Sequence, residues 1–159
     1  MRGQTGGMDL GLFDQVDDAV RALVPDDLGS LRTQPRHWGI KAWFDREDCP
    51  RGHYEAQVVG AKHVPGAAAM ALEIGFHVEY PKADDNDAAM APMRAAEGAW
   101  RRALGPAAVL GPFLGRSGWQ RLSETWADPD LSDPELCFEI ADRLAAYITA
   151  LEARRVDGR

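Results

Sequence analysis

The chain has 159 residues, of which 45% are hydrophobic and 27% are charged. That length and composition suffice for one domain with a continuous core and are ordinary for a globular protein. The formal net charge of -7 disfavours nucleic acid as a partner, because binding to phosphates depends on clustered Lys and Arg side chains. No apolar run reaches the about 18 residues of a membrane span, and the first residues lack the apolar stretch of a secretory signal. We therefore expect a cytoplasmic protein that contacts neither membrane nor nucleic acid.

The first predicted element is an amphipathic helix over residues 9–24. Its apolar side chains recur at helical spacing from Phe13 onward, with acidic residues between them. Pro25 ends the pattern, because proline cannot continue a helix without breaking its hydrogen bonds.

Three predicted strands follow a polar connector over residues 25–36. The first strand covers residues 37–44 and the second residues 53–59, each with alternating apolar and polar positions. The third alternates most regularly and has these apolar positions on one face: Met70, Leu72, Ile74, Phe76, Val78 and Tyr80. Turn-forming residues separate the strands, so an antiparallel meander with one buried and one wet face is expected.

A second helix is predicted after the acidic segment 84–87, with its end at Leu104. Pro92 must lie in its first turn or kink it, which leaves the start of this helix open. The remaining predicted elements are a short strand over residues 107–110, a strand over Trp119–Trp126 and a last helix from Pro134 to Leu151.

These elements define an α+β protein with the order helix, three-stranded meander, helix, two strands, helix. We expect one twisted antiparallel sheet with helices on one face only, since the third strand has one apolar and one polar face. A single domain is expected over residues 9–153, with a disordered tail at residues 1–8 and a second tail at residues 154–159.

The polar face of the predicted meander carries the candidate site residues Lys41, Glu55, Glu73, His77 and Glu79, with His37, Gln57 and Arg121 on the same side. Facing charges of opposite sign are ordinary cross-strand pairs, so a solvated face is expected. His77 and Glu79, about 7 Å apart along one strand, have side chains that can bind metals, but no paired-His or Cys-x-x-Cys spacing accompanies them. The sequence therefore assigns no catalytic residue, no metal and no cofactor, and a non-catalytic protein is expected.

Three tryptophans are candidates for an interface. Trp43 falls on the polar side of its strand, and Trp119 and Trp126 cannot both point inward. At least one large ring is therefore expected at the surface, where aromatic side chains favour contacts between proteins. A homodimer is the expected assembly. Cys49 and Cys137 are expected to be free thiols, because cytoplasmic proteins rarely keep disulfides.

The order of the predicted elements resembles that of the small dimeric chaperones of type III secretion and of the related YbjN-like bacterial domains. The elements that carry the resemblance are the helix at 9–24, the meander over 37–80, the helix ending at Leu104, the strand Trp119–Trp126 and the helix from Pro134. It implies helices packed on one face of a twisted antiparallel sheet, in a non-enzymatic protein that dimerises and binds another polypeptide. A protein partner is accordingly expected.

Two alternatives are left open. The order helix, three strands, helix also resembles the core of restriction-endonuclease-like nucleases, in which an acidic residue near the second strand is followed by Glu-x-Lys on the third. Glu55 and Glu73 match the acidic positions, but Gly75 stands where that family has lysine. A small-ligand-binding domain would instead enclose a pocket between sheet and helices, lined by Met70, Phe76, Met93 and Trp100.

Overall fold

The computed structural model describes residues 4–158 of the chain. Within that range the chain forms four helices and six strands: α1 (Gln4–Leu23), β1 (Leu31–Arg36), β2 (Gly39–Phe44), β3 (Gly52–Gly60), β4 (Met70–Val78), α2 (Ala83–Ala95), α3 (Glu97–Leu104), β5 (Val109–Phe113), β6 (Arg116–Ala127) and α4 (Leu136–Leu151). Short 3-10 helices lie at Asp26–Leu28, Ala61–His63 and Glu152–Gly158. None of the described helices is both long and apolar enough to cross a membrane.

All six strands form one antiparallel sheet in the order β1-β2-β3-β4-β6-β5. The predicted α+β class is confirmed, and the strands predicted at 53–59 and 70–80 are β3 and β4, which form the centre of the sheet. Their register pairs His53 with His77 and Gln57 with Glu73. Because alternate residues of a strand share a face, this register determines which polar side chains meet.

The core lies between one face of the sheet and the four helices. Each helix contributes buried apolar side chains to one continuous cluster that also contains Leu72 and Ile74 of β4. Of the four residues considered as the lining of a ligand pocket, Phe76, Met93 and Trp100 are at most 1% exposed and belong to this cluster, whereas Met70 is half-buried and lies outside it. Their burial in a close-packed core is what apolar residues in such a layered fold are expected to show.

Strand β1 was not expected from the sequence, which was interpreted there as a polar connector. Its side chains alternate between half-buried and exposed positions, and it pairs with β2 alone at the edge of the sheet. An edge strand needs no apolar alternation as regular as that of a central strand, and it tolerates Pro35, whose missing N–H would break a central ladder. The polar, proline-containing sequence therefore concealed the strand.

The predicted second helix is two helices, α2 and α3, separated at Ala96, whose φ of -98° and ψ of 14° leave the helical region. Pro92 lies inside α2, three residues before its end, and not in the first turn. Proline removes a helical hydrogen bond and crowds the preceding turn, so Pro92 weakens α2 just before the break. The break turns Trp100 back onto α2, where its indole N–H donates a hydrogen bond to the Met93 carbonyl oxygen at 2.7 Å.

The ends of the described chain differ from the predicted boundaries. Helix α1 begins at Gln4, five residues before its predicted start, and residues 1–3 of the predicted tail lie outside the described residues. At the other end, the 3-10 helix Glu152–Gly158 continues from α4 into the segment predicted as a tail. Arg155 is tied to this helix by an ion pair with Glu152 at 3.1 Å.

Candidate metal centre

The same short pattern, His-x-Glu, occurs on the two central strands, as His53-Tyr54-Glu55 and as His77-Val78-Glu79. Residues two apart share one face of a strand, so each histidine lies on the same side as its glutamate. Since His53 pairs directly with His77 in the antiparallel register, the two imidazoles are neighbours and the glutamates flank them. The backbone of β3 and β4 thus brings four potential ligands to one point on the polar face.

The four side chains converge with ligand-like spacing. His53 Nε2 and His77 Nδ1 each lie 3.1 Å from Glu55 Oε1, and each lies 3.6 Å from Glu79 Oε2. All four ligand atoms fall within 4.8 Å of one another. A tetrahedral zinc site with bonds of about 2.0–2.2 Å has ligand–ligand edges of about 3.3–3.6 Å. The four His–Glu separations of 3.1–3.6 Å are close to those edges, which makes this cluster a candidate site for a single divalent cation.

The outer nitrogen of each histidine is also bonded. His53 Nδ1 donates to the Pro50 carbonyl oxygen at 2.9 Å, and His77 Nε2 donates to Glu73 Oε2 at 2.6 Å. A carbonyl oxygen only accepts, so the proton on His53 is assigned to Nδ1, and the lone pair of neutral His53 lies on Nε2, directed at the cluster. Metal-binding histidines show this arrangement, in which an outer carbonyl or carboxylate fixes the tautomer and orients the ring.

Glu73 is itself held in place from two sides. Gln57 Nε2, which faces it across β3 and β4, donates to Glu73 Oε1 at 3.0 Å. The Ser123 hydroxyl on β6 also helps to lower the pKa of the Glu73 carboxyl. The outer partner of His77 therefore has little freedom to move away from the ring.

The polar face was predicted to be solvated, and this expectation is wrong at its centre. His53, Glu55, Glu73 and His77 are all less than 5% exposed. At His77 the cover includes Phe113 of the β5–β6 hairpin, whose ring centre lies 4.8 Å from that of His77. Sequence alternation identified the face but gave no sign that a hairpin from farther along the chain curls over it.

When no metal is bound, the electrostatics of the cluster favour the protonated form of both histidines. Burial alone would lower the pKa of His53, but hydrogen bonds with Cys49 and Glu55 outweigh burial and raise that pKa to about 9. Burial is likewise outweighed at His77, where the charge of Glu73 and the hydrogen bond with Glu55 raise the pKa well above its ordinary value. Burial would raise the pKa of the Glu55 carboxyl, yet the two histidines hold it well below its usual range. The carboxylates thus favour positive charge between them, supplied by protons or by a metal.

Four of the five predicted polar-face residues meet in this cluster, namely Glu55, Glu73, His77 and Glu79. Lys41 occupies the register position opposite Glu55, but the cation nearest to that carboxylate is Arg36, whose Nη2 lies 3.8 Å from Glu55 Oε2. His53 was missed because it precedes the clearest part of the alternation in its strand. The repeated His-x-Glu pattern was the sequence signal that identifies it.

The predicted interface tryptophans are placed differently from one another. Trp43 is only 6% exposed, and its indole N–H donates to the Arg46 carbonyl oxygen at 2.9 Å, so of the three candidates it offers no exposed ring to a partner. The β2–β3 connection folds back over it, which alternation within β2 does not indicate. Trp119 and Trp126 are half-buried, and Trp126 donates to Glu124 Oε2 at 2.8 Å. The most exposed indole among the described residues is that of Trp38.

Comparison with protein-family models, with curated proteins and with solved structures gave no match for the chain. The resemblance in element order to type III secretion chaperones and YbjN-like domains therefore stays a prediction, as does the nuclease-like alternative. The site has to be interpreted from its own geometry.

Proposed function

We propose that the chain is a non-catalytic, divalent-metal-binding domain whose single centre is formed by His53, Glu55, His77 and Glu79. The observation that carries the proposal is the convergence of His53 Nε2 and His77 Nδ1 on Glu55 Oε1, at 3.1 Å each. Both outer ring nitrogens are occupied by partners of the kind that metal-binding histidines use.

Zinc is the cation that the ligand set favours. Imidazole nitrogens suit zinc and other late first-row metals, whereas calcium and magnesium prefer sites made of oxygen alone. Two nitrogens and two carboxylate oxygens complete a four-coordinate shell from protein groups, which is typical of structural zinc sites. Catalytic sites keep a position open for water or substrate, so the closed set supports a structural or regulatory role.

The competing interpretation is a buried network of protonated histidines and glutamates without a metal. Such a network would place two imidazolium rings side by side, with 5.9 Å between ring centres, where their charges repel. One divalent cation supplies the same positive charge as the two protons and binds both lone pairs, so it removes the repulsion without changing the net charge. This difference favours the metal.

The proposal is tested with tag-free protein that has been stripped with a chelator and then titrated with zinc against a chromophoric competitor. We expect one zinc ion per chain, and loss of binding in His53→Gln and His77→Gln. His37→Gln is the matched control, since His37 lies in the β1–β2 turn and makes an edge-to-face contact with Trp38. Equal zinc affinity in all three variants would overturn the proposal, and circular dichroism would verify that each variant is folded.

A role in protein contact, with the predicted homodimer, is a second candidate function. It is supported by Phe138, whose side chain is 57% exposed on α4 and borders a groove with Pro134 and Ala19. An exposed aromatic side chain of this kind is enriched at interfaces between proteins. Light scattering of wild type and Phe138→Ser tests it: a dimer that dissociates in the variant supports the role, and a wild-type monomer at every concentration excludes the homodimer.

A further inference from the structure

A series of ring contacts connects the proposed ligand His77 with the outer surface of the β5–β6 hairpin. The Phe113 ring lies 4.8 Å from the His77 ring and nearly perpendicular to it, and the Trp119 ring lies 5.4 Å from Phe113 in a similar contact. The Arg116 guanidinium lies 4.0 Å from the centre of the Trp119 ring. His77 is fully buried, whereas Phe113 and Trp119 are half-buried. The contacts therefore lead from the metal centre to solvent.

The base of this hairpin is fixed by α2 and not by the metal centre. Asn86, which is fully buried, donates to the Gly118 carbonyl oxygen at 2.7 Å. Arg94 on the same helix donates to Gln120 Oε1 at 2.7 Å. Residues 113–117, the hairpin tip, lie on the far side of these anchors and pack through Phe113 on His77. A change at His77 therefore reaches the tip and the Trp119 ring through Phe113, while α2 continues to hold Gly118 and Gln120.

A bound cation would alter how firmly the His77 ring is held. Glu73 holds the ring at Nε2, and Glu55 Oε1 lies 3.1 Å from Nδ1 and holds the other side by a hydrogen bond. A metal would replace that hydrogen bond with a metal–nitrogen bond, which is stronger and more directional. With the metal the ring is therefore held more firmly and offers Phe113 a more rigid surface than without it.

We propose that metal occupancy of the centre regulates the order of the hairpin tip and, through Phe113, the position of the Trp119 side chain. This inference rests on the proposed metal-binding function and adds its consequence at the surface. Trp119 and Pro112 of the hairpin also form one wall of a groove of about 330 Å³ whose other wall includes Ala83 and Arg94 of α2. The shape of that groove thus depends on the metal, as in a metal sensor.

Hydrogen exchange of the full chain, measured by mass spectrometry with and without zinc, tests the inference. We expect zinc to slow exchange in the hairpin tip by about two- to tenfold, the protection that one perpendicular aromatic contact provides. The edge strand β1 serves as the internal reference. In Phe113→Leu, zinc should still bind with one ion per chain, but the slowing at the tip should disappear. Trp38→Leu, which removes an exposed ring in the β1–β2 turn, should keep it.

The outcomes separate this inference from the metal-binding proposal. If zinc binds to wild type but tip exchange is unchanged, or if Phe113→Leu keeps the full effect, the coupling is overturned and metal binding stands. If zinc does not bind to wild type, both are overturned. A second readout uses protein labelled with 5-fluorotryptophan, in which the fluorine signal assigned by Trp119→Phe should shift on zinc addition, and an unmoved signal contradicts the coupling.

Discussion

Glu55→Gln is the substitution that most sharply perturbs the proposed centre. One carboxylate oxygen of Glu55 is the nearest neighbour of both inner histidine nitrogens, at 3.1 Å each. Glutamine keeps the size of the side chain but removes the negative charge, so the buried site loses an anionic ligand without losing volume. We expect a large loss of zinc affinity, because changes to outer partners alone typically cost about 10- to 100-fold.

The effect on thermal stability follows from the binding equilibrium. With free zinc at about 100 times the dissociation constant, binding stabilises the folded state by about 2.7 kcal/mol. For a domain of this size that corresponds to a rise in Tm of about 5–11 °C. If the substitution weakens binding by about 100-fold, the same zinc concentration stabilises by only about 0.4 kcal/mol, or about 1–2 °C.

Differential scanning fluorimetry of wild type and Glu55→Gln, each with and without zinc, measures both shifts. Glu97→Gln is the matched control, because Glu97 lies at the start of α3 and forms an exposed ion pair with Arg101. Its zinc-induced shift should equal that of wild type. A rise in Tm of the same size in Glu55→Gln would refute the assignment of Glu55 as a ligand.

Three further predictions concern the orientation of His77 by Glu73, the packing of the sheet at Gly75 and the release of protons when zinc binds. Glu73→Gln should weaken zinc binding by about 10- to 100-fold in the competition titration, and unchanged affinity would exclude Glu73 as the residue that orients His77. Gly75→Ala should destabilise the fold by about 2 kcal/mol or more in urea, because its Cβ would lie 2.3 Å from the Leu122 carbonyl oxygen. The matched Gly98→Ala in α3, which has open space around it, should stabilise by about 0.5–1 kcal/mol; similar effects of both would contradict this packing. Because the pKa of His53 is raised to about 9, protons compete with zinc below that pH and are released on binding. Zinc affinity should therefore rise with pH toward 9 and fall toward 6, and a flat profile in isothermal titration would contradict proton competition.

The layered fold was largely predictable because its central strands carry strong patterns. The alternation in β4 requires a sheet with one apolar face, and the apolar stripe of α4 requires an apolar surface to pack against. The unpredicted parts depend on position in the fold: β1 is an edge strand that needs only partial burial, and the break between α2 and α3 depends on how Trp100 packs back on Met93. Local sequence does not encode either circumstance strongly.

The site was only partly predictable, for a different physical reason. The alternation of side chains along β4 correctly placed Glu73, His77 and Glu79 on one face, since successive residues of a strand point to opposite faces. Whether they are solvated depends on the hairpin that reaches them from β5 and β6, which is a long-range contact. Likewise, the pairing of His53 with His77 depends on register, which the connection between β3 and β4 sets and which no single strand reveals.

X-ray absorption of the zinc-loaded, tag-free protein reports the identity of the zinc ligands. We expect four nitrogen and oxygen ligands at about 2.0–2.2 Å, with the outer-shell scattering of two imidazole rings. The neighbouring thiol of Cys49, which helps to raise the pKa of His53, should remain outside the coordination shell. A zinc–sulfur distance of about 2.3 Å, or a shell without imidazole, would contradict a centre formed by His53, Glu55, His77 and Glu79.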